Sequence, residues 1–169
     1  MDFGTKTYIA AAWDEDQDAI QQLLEWSENS CLFFEFKNIH DYKQSRDTSL
    51  SCSIKKSLSE RMDMCKLFVL IVGDKTTSVT KGSCTYCRYY RYSEKTTCTP
   101  TNKSFIEYEC DKAKRDYERG KIKILVLYNS SSIYGYKCPE SLRNIGYHCA
   151  MKEQGVYNYK KVKLAFIQA

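Results

Sequence analysis

Apolar positions along the chain fall into short continuous runs separated by stretches of helical spacing. The first run, residues 7–12 with Tyr8, Ile9 and three alanines, follows a polar start and predicts a buried strand ending at Trp13-Asp14-Glu15-Asp16. Ala19, Ile20, Leu23 and Leu24 then recur at helical spacing, with the acidic turn at the positive end of the helix dipole. Leu32-Phe33-Phe34-Glu35-Phe36 reads as a second strand by its aromatic content. A polar stretch over 37–49 leads to a helix marked by Ile54, Leu58 and Met62 at every fourth position. Residues 67–72 are apolar without interruption, as in a strand covered on both faces. A helix is predicted from Ser104 to about Arg119, stopping at Gly120, and a fourth strand follows over 122–127. Beyond Asn129 the pattern predicts a short helix at Cys138-Pro139-Glu140-Ser141-Leu142, a fifth strand over 148–151 and a helix over 159–167.

Strands alternating with helices imply an α/β, doubly wound parallel sheet with right-handed crossovers, here in a single domain spanning 1–169. Ligands of such sheets bind at the carboxyl ends of the strands. Those ends present residues 13–16, 37–47, Gly73 onward, and the start of the helix that follows Ser104.

That helix carries the most telling segment, Ser104-Phe105-Ile106-Glu107-Tyr108-Glu109-Cys110. Ser104 and Glu107 have the spacing of a capping box, which gives Glu107 a structural role. Phe105, Ile106, Glu109, Cys110, Ala113 and Tyr117 fall on one arc of the helix, opposite Glu107, Asp111, Lys114 and Glu118. Glu109 thus lies inside an apolar stripe, where lost solvation raises a carboxyl pKa and prepares it for chemistry. A pocket lined by Ala12, Trp13 and Asp14 together with Phe105 and Glu109 is expected, with the Trp13 indole available for stacking on a planar ring of a ligand. Trp13 equally fits a packing role over the first helix.

Composition narrows the partners. A chain of 169 residues with 43% apolar and 28% charged residues can bury a substantial core, and no apolar run reaches membrane length, so a cytoplasmic location without membrane association is expected. Nine cysteines, an odd number with no export signal, are expected to be mostly reduced. The net charge of +5 is spread among acidic residues, so nucleic acid is not the expected partner and an anionic small ligand fits as well. Residues 74–102 form a long insertion that calls for a function or packing of its own. Its Cys84, Cys87 and Cys98 can begin a structural zinc site, with Cys110 as a fourth ligand only if the fold brings it close; no metal site is assigned. Its Tyr86-Cys87-Arg88-Tyr89-Tyr90-Arg91-Tyr92 run suits a cover over an anionic ligand or a subunit contact.

The glycine-rich dinucleotide, P-loop and zinc-protease signatures are absent, and neither His40 nor His148 has the spacing of a catalytic partner. The strand at Tyr8-Ile9-Ala10-Ala11-Ala12 with its acidic turn, the apolar third strand ending in Gly73-Asp74, and the helix start Ser104-Phe105-Ile106-Glu107-Tyr108-Glu109 together resemble the TIR-like domain family, in particular its bacterial Thoeris anti-phage defence branch. The chain departs from that family in its cysteine-bearing insertion and in having Phe105 where tryptophan is frequent. The resemblance implies a flavodoxin-like sheet and, in active members, cleavage of the nicotinamide–ribose bond of NAD, giving a cyclic or modified ADP-ribose signal. It makes Glu109 the catalytic residue, NAD a substrate rather than a cofactor, and self-association and a signal-receiving effector protein the expected partners. A non-catalytic interaction module and a deoxyribosyltransferase-like nucleoside enzyme stand as alternatives. Asp14, Glu15, Asp16 and Asp74 imitate the acidic set of a phosphoacceptor receiver domain, but the long insertion begins where the acceptor loop of that fold should be compact.

Overall fold

The computed structural model describes residues 6–29, 37–38, 51–83 and 103–169. Strands β1 (Lys6–Ala10), β2 (Lys37–Asn38), β3 (Leu67–Val72), β4 (Lys123–Tyr128) and β5 (Tyr147–Ala150) form one sheet in the order β2-β1-β3-β4-β5, every neighbouring pair parallel. This is the flavodoxin-like order, whose direction of winding reverses between β1 and β3. The expected strand over 32–36 lies outside the described residues. Lys37 and Asn38, assigned from sequence to a polar stretch, pair with Lys6 and Thr7, because parallel pairing uses backbone groups that polarity does not reveal.

Alternation along the strands sorts side chains onto two faces. Tyr8, Ala10, Phe68, Leu70, Val72, Ile124 and Val126 pack beneath α2 (Ser51–Asp63) and α3 (Phe105–Glu118). Ile9, Ala11, Val69, Ile71, Leu125 and Leu127 pack beneath α1 (Gln17–Glu28) and α4 (Tyr159–Gln168). All six residues of β3 are buried, as its unbroken apolar run requires. A hairpin of β6 (Lys152–Glu153) and β7 (Val156–Tyr157) follows β5; the short helix expected over 138–142 is a single 3-10 turn, Glu140–Leu142, and a second 3-10 turn, Gly135–Lys137, precedes it.

The ends of α3 follow from local chemistry. The Glu107 N–H donates to Ser104 Oγ at 3.2 Å and the Ser104 N–H donates to Glu107 Oε2 at 2.7 Å, completing the expected capping box. At the other end Gly120 takes φ +67°, its N–H reaching the Tyr117 carbonyl while the Lys121 N–H reaches that of Asp116, a Schellman closure. One part of the expected helical face is corrected: Tyr117 is exposed, and Lys112 and Asp116 are buried instead. Lys112 is held by Asp63 of α2 at 2.6 Å and by Asp116 at 2.8 Å, a three-residue ion cluster that lets two helices pack through charged side chains.

Candidate active site

Glu109 lies on the second turn of α3, on the side facing the sheet, and is 4% exposed. The phenol of Tyr8, from the middle of β1, donates a hydrogen bond to Glu109 Oε1. The Tyr8 ring is held in register by stacking on Phe68 of β3, 5.8 Å between centroids and 8° from parallel. Burial pushes the Glu109 carboxyl from its ordinary value of 4.5 up to about 7, although donation from Tyr8 acts in the opposite direction. Burial and the adjoining carboxylate hold the Tyr8 phenol well above its own ordinary range, so it stays protonated and remains a donor. A carboxyl balanced near neutrality can serve as the anion that stabilises a positive centre and as the base that takes a proton.

A second polar group gathers at the carboxyl ends of β1, β3 and β4. Asp16, 2% exposed, accepts from Asn129 Nδ2 through Oδ1 at 3.0 Å, while its Oδ2 has no hydrogen-bond partner among the described residues. Its carboxyl lies directly on Gly73, where an added Cβ would come 2.1 Å from Oδ1. The close approach demands glycine at the end of β3. Desolvation raises the Asp16 carboxyl, with donation from Asn129 opposing it. Asp18 is half-open to solvent: burial alone would raise it, but donation from Tyr157, the Ala19 N–H and Asn129, with the charge of Lys152, holds it below the usual range. Tyr157 OH lies 2.6 Å from Asp18 Oδ2 and 2.9 Å from Asn129 Oδ1, tying the β6–β7 hairpin to this rim.

Of the residues expected to line a pocket, Ala12 is buried in the apolar cluster on the Glu109 face of the sheet, and Phe105 is half-buried against that same cluster. Phe105 covers Gly82, which has φ +97°, so tightly that a Cβ there would lie 2.4 Å from the ring. Trp13 packs against the cluster on the opposite face, with α1 and α4, and Asp14 is exposed in the turn after β1. Ala12, Phe105 and Glu109 therefore share a face, and Trp13 does not. Sequence reasoning missed Tyr8, whose signal was a hydroxyl at an inward position of a buried strand, and Asp16 and Asn129, which gave none as individual residues.

His148 sits in β5 with Nδ1 3.0 Å from Tyr128 OH and Nε2 3.1 Å from the Ile145 carbonyl, so a neutral ring with its proton on Nε2 satisfies both. His40 and the cysteines Cys84, Cys87 and Cys98 lie outside the described residues. Cys110 is buried, unbridged and raised well above its ordinary value by burial, and the described residues contain no group of three or more ligating side chains arranged for a metal ion. No described helix is long and apolar enough to cross a membrane.

No curated protein matches the chain significantly. Among solved structures the chain is similar to the CMP N-glycosidase BcmB of Clostridium botulinum, with 12% identity, a TM-score of 0.42, and coverage of 97% of this chain and 99% of that one. The family model described as Thoeris protein ThsB, TIR-like domain, matches residues 8–81, from the Tyr8 strand to the turn beyond β3, and bears out the likeness to the Thoeris branch of TIR-like proteins that the sequence motifs carry.

Proposed function

We propose that the protein cleaves the bond between nicotinamide and ribose in NAD, with Glu109 as the catalytic carboxylate, and that it yields a cyclic or otherwise modified ADP-ribose signal in anti-phage defence. The observation that carries the reading is the buried Glu109–Tyr8 pair, with a carboxyl brought to about 7, on a sheet whose first half matches the Thoeris ThsB TIR-like model.

In this reaction the C1′–N bond breaks and its electron pair passes to the pyridinium ring, which becomes neutral nicotinamide without needing a proton. The ribose is left with oxocarbenium character. The Glu109 carboxylate stabilises that charge, and then accepts the proton of the attacking hydroxyl, from water or from the substrate itself. Tyr8 holds the carboxylate in place as a donor. Because Glu109 is shielded from solvent, binding has to displace a cover, and Phe105, one turn earlier on the same helix, is assigned that part along with Ala12 in lining the site. Trp13 and Asp14 are assigned to the outer rim at the end of β1.

Purified protein incubated with NAD should release free nicotinamide, measured by chromatography. Glu107→Gln should keep that release, since glutamine completes a capping box, and Glu109→Gln should abolish it. Wild-type rates from Glu109→Gln, or loss confined to Glu107→Gln, would overturn the assignment.

A further inference from the structure

The loop that follows β4 carries a feature that the chemistry at Glu109 does not use. Tyr134 and Tyr136 meet edge to face, 5.9 Å between centroids, and the Lys137 ammonium lies 4.7 Å from the first ring and 5.8 Å from the second. Lys137 is fixed in turn by Asp74, just past the end of β3, at 2.6 Å. The ion pair holds the Asp74 carboxyl below and the Lys137 ammonium above their ordinary ranges. The two rings are thereby oriented before any ligand arrives, yet Tyr136 remains 70% exposed. A large aromatic side chain pinned in place and open to water on a strand's carboxyl end is arranged for stacking.

The chain just beyond the platform packs against the helix that carries Glu109. Cys138, the residue after Lys137, is fully buried in the same apolar cluster as Ile106 and Cys110, the immediate neighbour of Glu109. Asp74 follows Gly73, on which the Asp16 carboxyl rests. A ligand whose reacting end is at Glu109 and whose other end extends along the carboxyl rim would pass this loop.

We infer that Tyr136, supported by Tyr134 and Lys137, is a stacking platform for the nucleobase of a nucleotide, and that it holds the adenine end of the substrate. The second half of that statement rests on the reading of Glu109 as the carboxylate that cleaves NAD. Preorganised rings spare the ligand part of the cost of ordering them, and every base presents a π face, so the platform supplies affinity with little sequence or base preference.

AMP is the direct probe, because it carries the base without the nicotinamide–ribose bond. Titration of AMP into the full-length protein by calorimetry should give binding that Tyr136→Ala weakens about ten-fold and Tyr136→Phe leaves nearly unchanged. The KM for NAD should rise in the same proportion in Tyr136→Ala with kcat retained, whereas nicotinamide mononucleotide, which lacks the adenylate, should be cleaved as by wild type. Equal AMP affinity in wild type and Tyr136→Ala, no AMP binding at millimolar concentration, or a change only in sedimentation behaviour would overturn the platform. Weakened AMP binding together with absent nicotinamide release from wild type would uphold the platform and overturn the NAD reading instead.

Discussion

Replacing Glu109 by glutamine should stabilise the protein, and the gain should depend on pH in a defined way. The carboxyl titrates at about 7 in the fold against an ordinary value of 4.5, so its ionised form is disfavoured by burial. Below about pH 4 the group is neutral in both folded and unfolded chains and costs nothing on this account. As pH rises through the unfolded value the unfolded chain loses its proton first, and folding stability falls until the folded group ionises too. Above about pH 8 the full cost is present. The separation of the two values corresponds to about 3 kcal/mol. Glutamine keeps the shape and can accept from Tyr8, but never ionises. The difference in unfolding free energy between Glu109→Gln and wild type, from urea titrations between about pH 4 and 8, should therefore widen by about 3 kcal/mol in favour of the variant. In thermal unfolding that corresponds to roughly 10 °C at the alkaline end. Taking the difference removes the contributions of Asp16 and other carboxyls present in both proteins. A gap that stays constant with pH would refute the claim that Glu109 is desolvated, and with it the physical basis for its role.

Three further outcomes are expected. Tyr8→Phe removes a donor that favours the carboxylate, so the rising limb of a pH–activity profile should move above its wild-type position near pH 7, as measured by nicotinamide release across pH. Gly73→Ala should cost about 2–4 kcal/mol in chemical unfolding because the new Cβ collides with the Asp16 carboxyl, whereas Gly120→Ala, with open space but φ +67°, should cost only about 1 kcal/mol. Lys112→Met should cost about 2–3 kcal/mol by leaving Asp116 buried without its cation, and adding Asp116→Asn should restore much of that loss in the same unfolding assay.

Strands β1, β3 and β4 were legible because they are buried on both faces: the six apolar residues of β3 admit no other placement, and the spacing of α1 and α3 announces their inner sides. The capping box was legible for a different reason, since Ser104 and Glu107 act within one helical turn and need no tertiary partner. Burial of Glu109 followed from the same wheel, but its partner did not, because Tyr8 reaches it across the fold from β1. The wheel failed at Lys112 and Asp116 for a related reason. They form a pair at helical spacing that exposure would also explain, and only Asp63 of a neighbouring helix makes their burial tolerable. Asp16 looked like one of several acidic residues in a turn, and nothing local distinguishes it from Asp14 or Glu15; its burial arises from contact with Gly73 at the end of another strand.

The bond between Tyr8 and Glu109 spans 101 positions of sequence, and this separation sets an order of events during synthesis. Tyr8 emerges from the ribosome roughly 5–20 s before Glu109 at ordinary elongation rates. Through that interval the first strand can pair with the third, but its phenol has no access to the carboxylate it will hold. Only after α3 has been made and has closed over the sheet does Glu109 lose water and acquire its neutral-range titration. A nascent or prematurely terminated chain thus lacks the environment that tunes the carboxylate, and any chemistry at Glu109 waits until the fold is whole.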